Sequence, residues 1–66
     1  MFPNLAKELK NKGITYRAVA DLIGCSEKSV RNKMSGTTDF TLNEVFLINE
    51  NMFPEYELKY LFKRSA

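Results

Sequence analysis

Three glycines divide the first half of this chain into short segments. Gly13, Gly24 and Gly36 are its only glycines, and each follows a segment whose apolar residues recur at intervals of three and four, the period of an amphipathic helix. Glycine readily takes the left-handed conformation in which many helices end. Strict alternation of apolar and polar residues, typical of strands, is nearly absent. The chain is therefore predicted to be all-α, with helices too short to be stable unless they pack on one another.

Capping residues predict where five helices lie. The predicted helices and their caps are 4–12 with Asn4, 16–23 with Thr15, 27–34 with Ser26, 42–50 with Thr41, and a short last helix within 55–62. Thr41 and Glu44 have the spacing of a capping box. The fourth helix is expected to bury Leu42, Val45 and Ile48.

Length and composition exclude several kinds of chemistry. The 66 residues suffice for one domain, 1–66, and not for a second. Histidine is absent and Cys25 is the only cysteine, which excludes disulfides within the chain, zinc sites of the His/Cys kind and imidazole-based catalysis. We therefore expect no enzyme, no cofactor and no metal. Without a basic leader or a long apolar run, the protein is also expected to be cytoplasmic, with no membrane contact.

Charge is distributed unevenly along the chain. Residues 1–36 contain seven basic and three acidic residues, a net charge of +4, whereas residues 37–66 contain three basic and five acidic residues, a net charge of −2. A basic half can face a polyanion while an acidic half faces away from it. The alternative is that these charges only solvate helix surfaces.

The predicted third helix has a thin apolar face. If Val30 and Met34 point inward, the surface keeps a polar set: Glu27, Lys28, Ser29, Arg31, Asn32 and Lys33. Eight residues form a helix of roughly 12 Å, close to the ~12 Å width of the major groove of B-DNA. Arginine and lysine can donate to guanine, asparagine can pair with adenine, and glutamate can accept from cytosine. A solvated helix face remains the alternative.

The run from Thr15 to Gly36, TYRAVADLIGCSEKSVRNKMSG, resembles the helix-turn-helix of the phage repressor/Cro family. The residues on that motif's defining positions are Ala20, Gly24, Ser26, Val30 and Gly36. Residues 5–15 resemble the family's first helix and entry turn, and 38–44 and 60–62 resemble later helices of a small phage-associated branch. The resemblance implies a compact, five-helix, lambda-repressor-like DNA-binding domain with the helix-turn-helix at helices 2 and 3.

The same resemblance implies a role for individual residues. The recognition helix would span 26–34, with base contacts from Glu27, Lys28 and Arg31. Backbone contacts would come from Tyr16, Arg17, Ser26, Asn32, Lys33, Thr37 and Thr38. Tyr16 stands where the family often has a glutamine, which leaves open whether its phenol binds phosphate or packs. Glu27 can instead complement the positive end of its helix dipole.

The C-terminal part has more apolar residues than two short helices bury. The residues that suggest a dimer surface are Phe46, Leu47, Met52, Tyr56 and Tyr60. We therefore expect a transcriptional regulator of phage or prophage origin, acting as a homodimer on a palindromic double-stranded DNA operator in the cytoplasm of a bacterial host, associated with the nucleoid when bound. No small-molecule substrate is expected. The alternative is a protein-binding module of antitoxin or antirepressor type that uses the apolar C-terminal surface.

Overall fold

The computed structural model describes residues 1–65, and this range contains five helices and no strand. The helices are α1 (Pro3–Lys12), α2 (Tyr16–Ile23), α3 (Glu27–Ser35), α4 (Leu42–Met52) and α5 (Leu58–Leu61). The Cα radius of gyration is 10.6 Å, close to the ~11 Å expected for a compact chain of this length. The all-α prediction is confirmed.

The caps of α2 and α3 are those that the sequence predicts. Thr15 Oγ1 accepts a 3.1 Å hydrogen bond from the amide of Ala18, and Ser26 Oγ accepts one of 3.1 Å from the amide of Ser29. Gly24 ends α2 with a φ of 76°, the left-handed region that glycine enters at little cost. Local sequence signals therefore fix both ends of α2 and the start of α3.

The predicted start of α4 is confirmed, but the predicted burial of one of its residues is wrong. Thr41 and Glu44 form both hydrogen bonds of the capping box. Ile48 is fully buried and Val45 is half-buried, but Leu42 is 69% exposed, so its predicted burial is wrong. Leu42 precedes Ile48 by six residues, which places the two side chains about 120° apart around the helix. Leu42 therefore lies on a different face from the core.

The first helix departs from prediction at its start. α1 begins at Pro3 after Phe2, with no side-chain cap. Proline is favoured at the first helical position because the amide hydrogen that it lacks would have no partner within the helix. Asn4 is therefore not the cap; its Nδ2 donates 2.8 Å to the carbonyl of Tyr60. This bond ties α1 to α5, which is only four residues long.

One core joins all five helices. The buried apolar side chains are Phe2, Leu5, Leu9, Val19, Ala20, Val30, Met34, Ile48, Phe53 and Leu61. Beside them, Phe2, Phe40 and Phe62 pack edge to face, with ring centroids 5.4–5.9 Å apart. Because α3 contributes only Val30 and Met34 to this core, most of its circumference faces outward.

Within residues 1–65, no helix combines the length and the apolar character needed to cross a membrane.

Candidate nucleic-acid interface

α2 and α3 form a packed pair joined by a short turn. The amides of Gly24 and Cys25 both donate to the carbonyl of Ala20, at 2.8 and 3.0 Å, which folds the turn back on the end of α2. Ala20 and Val30 are buried between the pair and the rest of the core. One face of α3 therefore packs on the core. The turn and the buried Val30 fix the orientation of the helix and so the position of its opposite, outward face.

The outward face of α3 is polar and basic. Lys28 and Arg31 are exposed, and Glu27, Ser29 and Asn32 are half-buried. Residues three apart lie side by side on a helix, so Lys28 and Arg31 form one cationic patch. A nine-residue helix is about 13.5 Å long, which matches the ~12 Å width of the major groove. The arrangement is suited to hydrogen bonding with base edges and phosphates.

Arg31 has an internal partner that sequence reasoning missed. Its Nη2 donates 2.8 Å to Oε2 of Glu27, one helical turn earlier. The two side chains are 63% and 43% exposed, and an exposed pair of this kind stabilises a helix by about 0.3–0.5 kcal/mol. Glutamate four residues before arginine is a recognisable signal for such a pair. The bond restrains Arg31 while leaving other guanidinium donors available.

Lys33 is turned away from the face of α3 that carries Lys28 and Arg31. Its Nζ lies 2.5 Å from Oε1 of Glu44, and the two side chains are only 13% and 14% exposed. Burial acts to raise the pKa of Glu44, but the hydrogen bonds from Lys33 and the Thr41 amide outweigh it and lower the pKa overall. The predicted phosphate contact of Lys33 would require this ion pair to break. The structure thus gives Lys33 a role in joining α3 to α4.

The other predicted backbone contacts lie around α3. Arg17 is exposed and Tyr16 half-buried on the first turn of α2, while Thr37 and Thr38 are exposed just after α3. The amides of both threonines donate to the carbonyl of Asn32, at 2.9 and 3.2 Å, so this loop is held against the end of α3. Ser26 lies at the other end of α3, where its hydroxyl is already occupied by the cap and by Ser29 Oγ.

Three of the predicted contact residues meet at one groove. Tyr16, Arg31 and Asn32 line an open groove between α1, α2 and α3. Lys28 and Thr38 are not among its lining residues. Arg31 therefore belongs both to the cationic patch with Lys28 and to the edge of this groove.

The five residues predicted to form a dimer surface have different environments. Phe46 is 42% exposed, and Leu47 and Met52 are half-buried. The phenols of Tyr56 and Tyr60 both donate to Glu8, at 3.0 and 2.7 Å. The apolar surface that remains exposed on α4 is Phe46 together with Leu42, one turn earlier.

Comparisons with known proteins return no match for this chain, whether with protein-family models, curated proteins or solved structures. What this surface can bind is therefore inferred from its residues and their geometry.

Proposed function

We propose that this protein is a sequence-specific regulator that binds double-stranded DNA through a helix-turn-helix formed by α2 and α3, as in the phage repressor/Cro family. The observation that carries the proposal is the outward face of α3. It is one exposed polar surface of groove-sized length, anchored from behind by Val30 and Met34. Such an anchored helix can enter the major groove without exposing its apolar side chains.

Base recognition on this proposal falls to the exposed turns of α3. Lys28 and Arg31 donate to guanine O6 and N7, and Asn32 pairs with adenine. Glu27 can accept from a cytosine amino group, and in the structure it also orients Arg31. Sequence discrimination is therefore expected to depend most on Arg31, whose planar guanidinium can bond guanine through two hydrogen bonds.

Contacts with the DNA backbone on this proposal come from the ends of α2 and α3. Arg17 and Tyr16 lie at the start of α2, and Thr37 and Thr38 follow α3, so they flank a helix that occupies the groove. Such contacts set the register of a protein on DNA without reading its sequence. The excess of basic residues before position 37 favours the same approach.

Selection of DNA from a random pool, followed by fluorescence anisotropy at several salt concentrations, tests the proposal. We expect a defined motif and an affinity that falls as salt rises, because bound lysines and arginines release counterions. Arg31→Ala is expected to cost about 1–3 kcal/mol of binding on the selected site. Lys28→Ala should weaken binding, whereas Lys59→Ala, the same charge change on α5, should not. Failure to enrich any motif, or equal losses for Lys28→Ala and Lys59→Ala, contradicts the proposal.

Regulation is proposed to occur by occupancy of the operator, with two copies on a palindromic site. Leu42 and Phe46 supply an exposed apolar ridge, one turn apart on α4, that is suited to pairing of copies. Sedimentation of the protein with its selected DNA tests the stoichiometry. Phe46→Ser should leave one copy per site and remove cooperativity, whereas Asn43→Ser, an exposed neighbour on the same helix, should change neither.

The same ridge favours a second candidate function. An exposed leucine and phenylalanine on α4 can also dock on a different protein, as expected of an antitoxin or antirepressor module. Capture of one defined protein in a stoichiometric complex that Phe46→Ser abolishes, together with no enriched DNA motif, would support this function over DNA binding.

A further inference from the structure

A groove of about 600 Å³ opens between residues 1–6, the start of α2, the second half of α3 and Ser65. Phe2 and Met34, each more than nine-tenths buried, form its base, and Ala6 forms part of an apolar wall. Small-molecule sites have volumes of roughly 300–1,000 Å³ and are mainly apolar with a few placed polar groups. This groove has both the size and the composition of such a site.

The polar groups of the groove favour an anion. Arg31 lines it, and none of the described residues that line it is acidic. The guanidinium uses Nη2 for Glu27, but it has five donors in all. Asn32 and Tyr16 add an amide and a phenol to the lining. A ligand with an apolar body and one negative group therefore matches the buried apolar base and the Arg31 guanidinium.

We propose that the groove binds a small amphipathic carboxylate, with its apolar body on Phe2, Ala6 and Met34 and its carboxylate on Arg31. A carboxylate accepts two parallel hydrogen bonds from arginine, which fixes its orientation as well as its charge. A multiply charged anion is disfavoured, because the buried apolar base offers it no partners.

Binding of such a ligand has a consequence for DNA recognition, which rests on the proposed function. Tyr16, Arg31 and Asn32 line the groove and are also proposed DNA contacts. A ligand seated on Arg31 occupies the guanidinium that would otherwise meet guanine. Ligand and DNA therefore exclude one another, so that the groove is a control site through which a small carboxylate releases the regulator from its operator.

An NMR titration of the full chain with two matched probes tests the groove directly. The probes are 2-naphthoate and the neutral 2-naphthalenemethanol, which share one aromatic body and differ in charge. We expect backbone amide shifts to centre on the groove residues, and naphthoate to bind about tenfold more tightly because of its charge-assisted hydrogen bonds. Equal affinities, or shifts centred elsewhere on the molecule, would overturn the proposal.

Two pairs of variants separate the apolar and charged parts of the site. Ala6→Phe fills the groove from an exposed helical position and should abolish binding of both probes, whereas Ala18→Phe, on an exposed helical alanine outside the groove, should not. Arg31→Gln should remove the preference for naphthoate while leaving binding of the alcohol intact, and Arg17→Gln should change neither. Urea titration checks that each variant is folded. Unchanged binding by Ala6→Phe would rule out the groove.

Competition with selected DNA, followed by fluorescence anisotropy, distinguishes failure of the groove from failure of the proposed function. Displacement of DNA by naphthoate, and its loss in Ala6→Phe, supports both. Naphthoate in the groove of a protein that selects no DNA supports the ligand site and contradicts the regulator. Bound DNA that naphthoate occupancy does not displace overturns the control role.

Discussion

The phenol of Tyr60 donates a 2.7 Å hydrogen bond to Oε2 of Glu8, a carboxylate that is 5% exposed and lies 52 positions earlier in the chain. Tyr56 donates to the other oxygen at 3.0 Å, and Asn11 lies 3.4 Å from that oxygen. The hydrogen bond from Tyr60 outweighs burial and, with those from Tyr56 and Asn11, lowers the pKa of Glu8. A buried negative charge is thus stabilised by two phenols, which attach the C-terminal segment to α1.

Replacing either phenol should destabilise the fold. Tyr60→Phe leaves one oxygen of Glu8 without its short hydrogen bond, so we expect it to lower the urea midpoint more than Tyr56→Phe. The double variant should lose less than the sum of the two, because Glu8 can take up a proton once both donors are gone. Tyr16→Phe, which changes a phenol that does not bond Glu8, is the control. Midpoints that do not differ among the three single variants would show that the network contributes nothing.

The lowered pKa of Glu8 predicts a loss of stability in acid. Glu44 and Glu55 have lowered pKa values as well, Glu44 through Lys33 and Thr41 against the opposing effect of burial, and Glu55 chiefly through its hydrogen bond from Lys12. Below the ordinary pKa of 4.5, the unfolded chain binds more protons than the folded one, so stability falls as pH drops through the folded pKa values. Urea midpoints measured from pH 3 to pH 7 should show this fall, and Glu8→Gln should make it shallower. An unchanged slope in Glu8→Gln would contradict the prediction.

Alkaline pH should weaken the same hydrogen bonds by ionising their donors, the phenols of Tyr56 and Tyr60. The hydrogen bonds to Glu8 raise the pKa values of Tyr56 and Tyr60 above the ordinary 10.0. A raised folded pKa gives stability that is complete below the unfolded value and is lost as pH rises through the folded one. Absorbance of tyrosinate followed during a pH titration should therefore show two phenols that ionise above the ordinary pKa of 10.0. In Glu8→Gln the two late ionisations should move to lower pH.

Lys33→Met is expected to lower the free energy of unfolding by about 1–2 kcal/mol, since it leaves the largely buried Glu44 without its cation. Lys28→Met, the same change at an exposed position of α3, should alter stability by less than about 0.5 kcal/mol. A double-mutant cycle with Glu44→Gln isolates the ion pair from the capping box that Glu44 also completes. A coupling energy of zero in that cycle would remove the structural role assigned to Lys33.

Local features of the fold could be predicted from the sequence, and long-range pairings could not. Thr15, Ser26 and Thr41 bond amides only three residues away, so a short window contains all the information needed. The phenols that donate to Glu8, those of Tyr56 and Tyr60, lie 48 and 52 residues away in the chain. No spacing rule predicts that a tyrosine will be the partner of a glutamate. Burial of Leu42 was predicted wrongly because hydrophobicity alone does not fix the rotation of a helix on its core.

The face of α3 shows the same division. The period of the helix predicts that Val30 and Met34 point inward, and the exposure of Lys28 and Arg31 follows from those positions. Lys33 pairs with Glu44, 11 positions later in the chain. This pairing depends on the loop after α3, which brings the start of α4 close to Lys33. The groove beside Arg31 likewise needs four separate segments of the chain to be in place. Neither feature has a signal within any one segment.

Glu27→Gln tests whether the ion pair with Arg31 serves recognition. The helix should lose only about 0.3–0.5 kcal/mol, but in the proposed DNA-binding mode removal of this negative charge should tighten binding to unrelated sequences. Arg31 would also lose the charge-assisted bond that orients it, because the glutamine oxygen is a weaker, neutral acceptor, so preference for the selected site over those sequences should fall. Anisotropy with both DNAs measures this ratio, with Glu50→Gln, an exposed acid on α4, as the control for charge. A ratio that stays constant in Glu27→Gln while Arg31→Ala lowers it would show that Arg31 reads DNA without the help of Glu27.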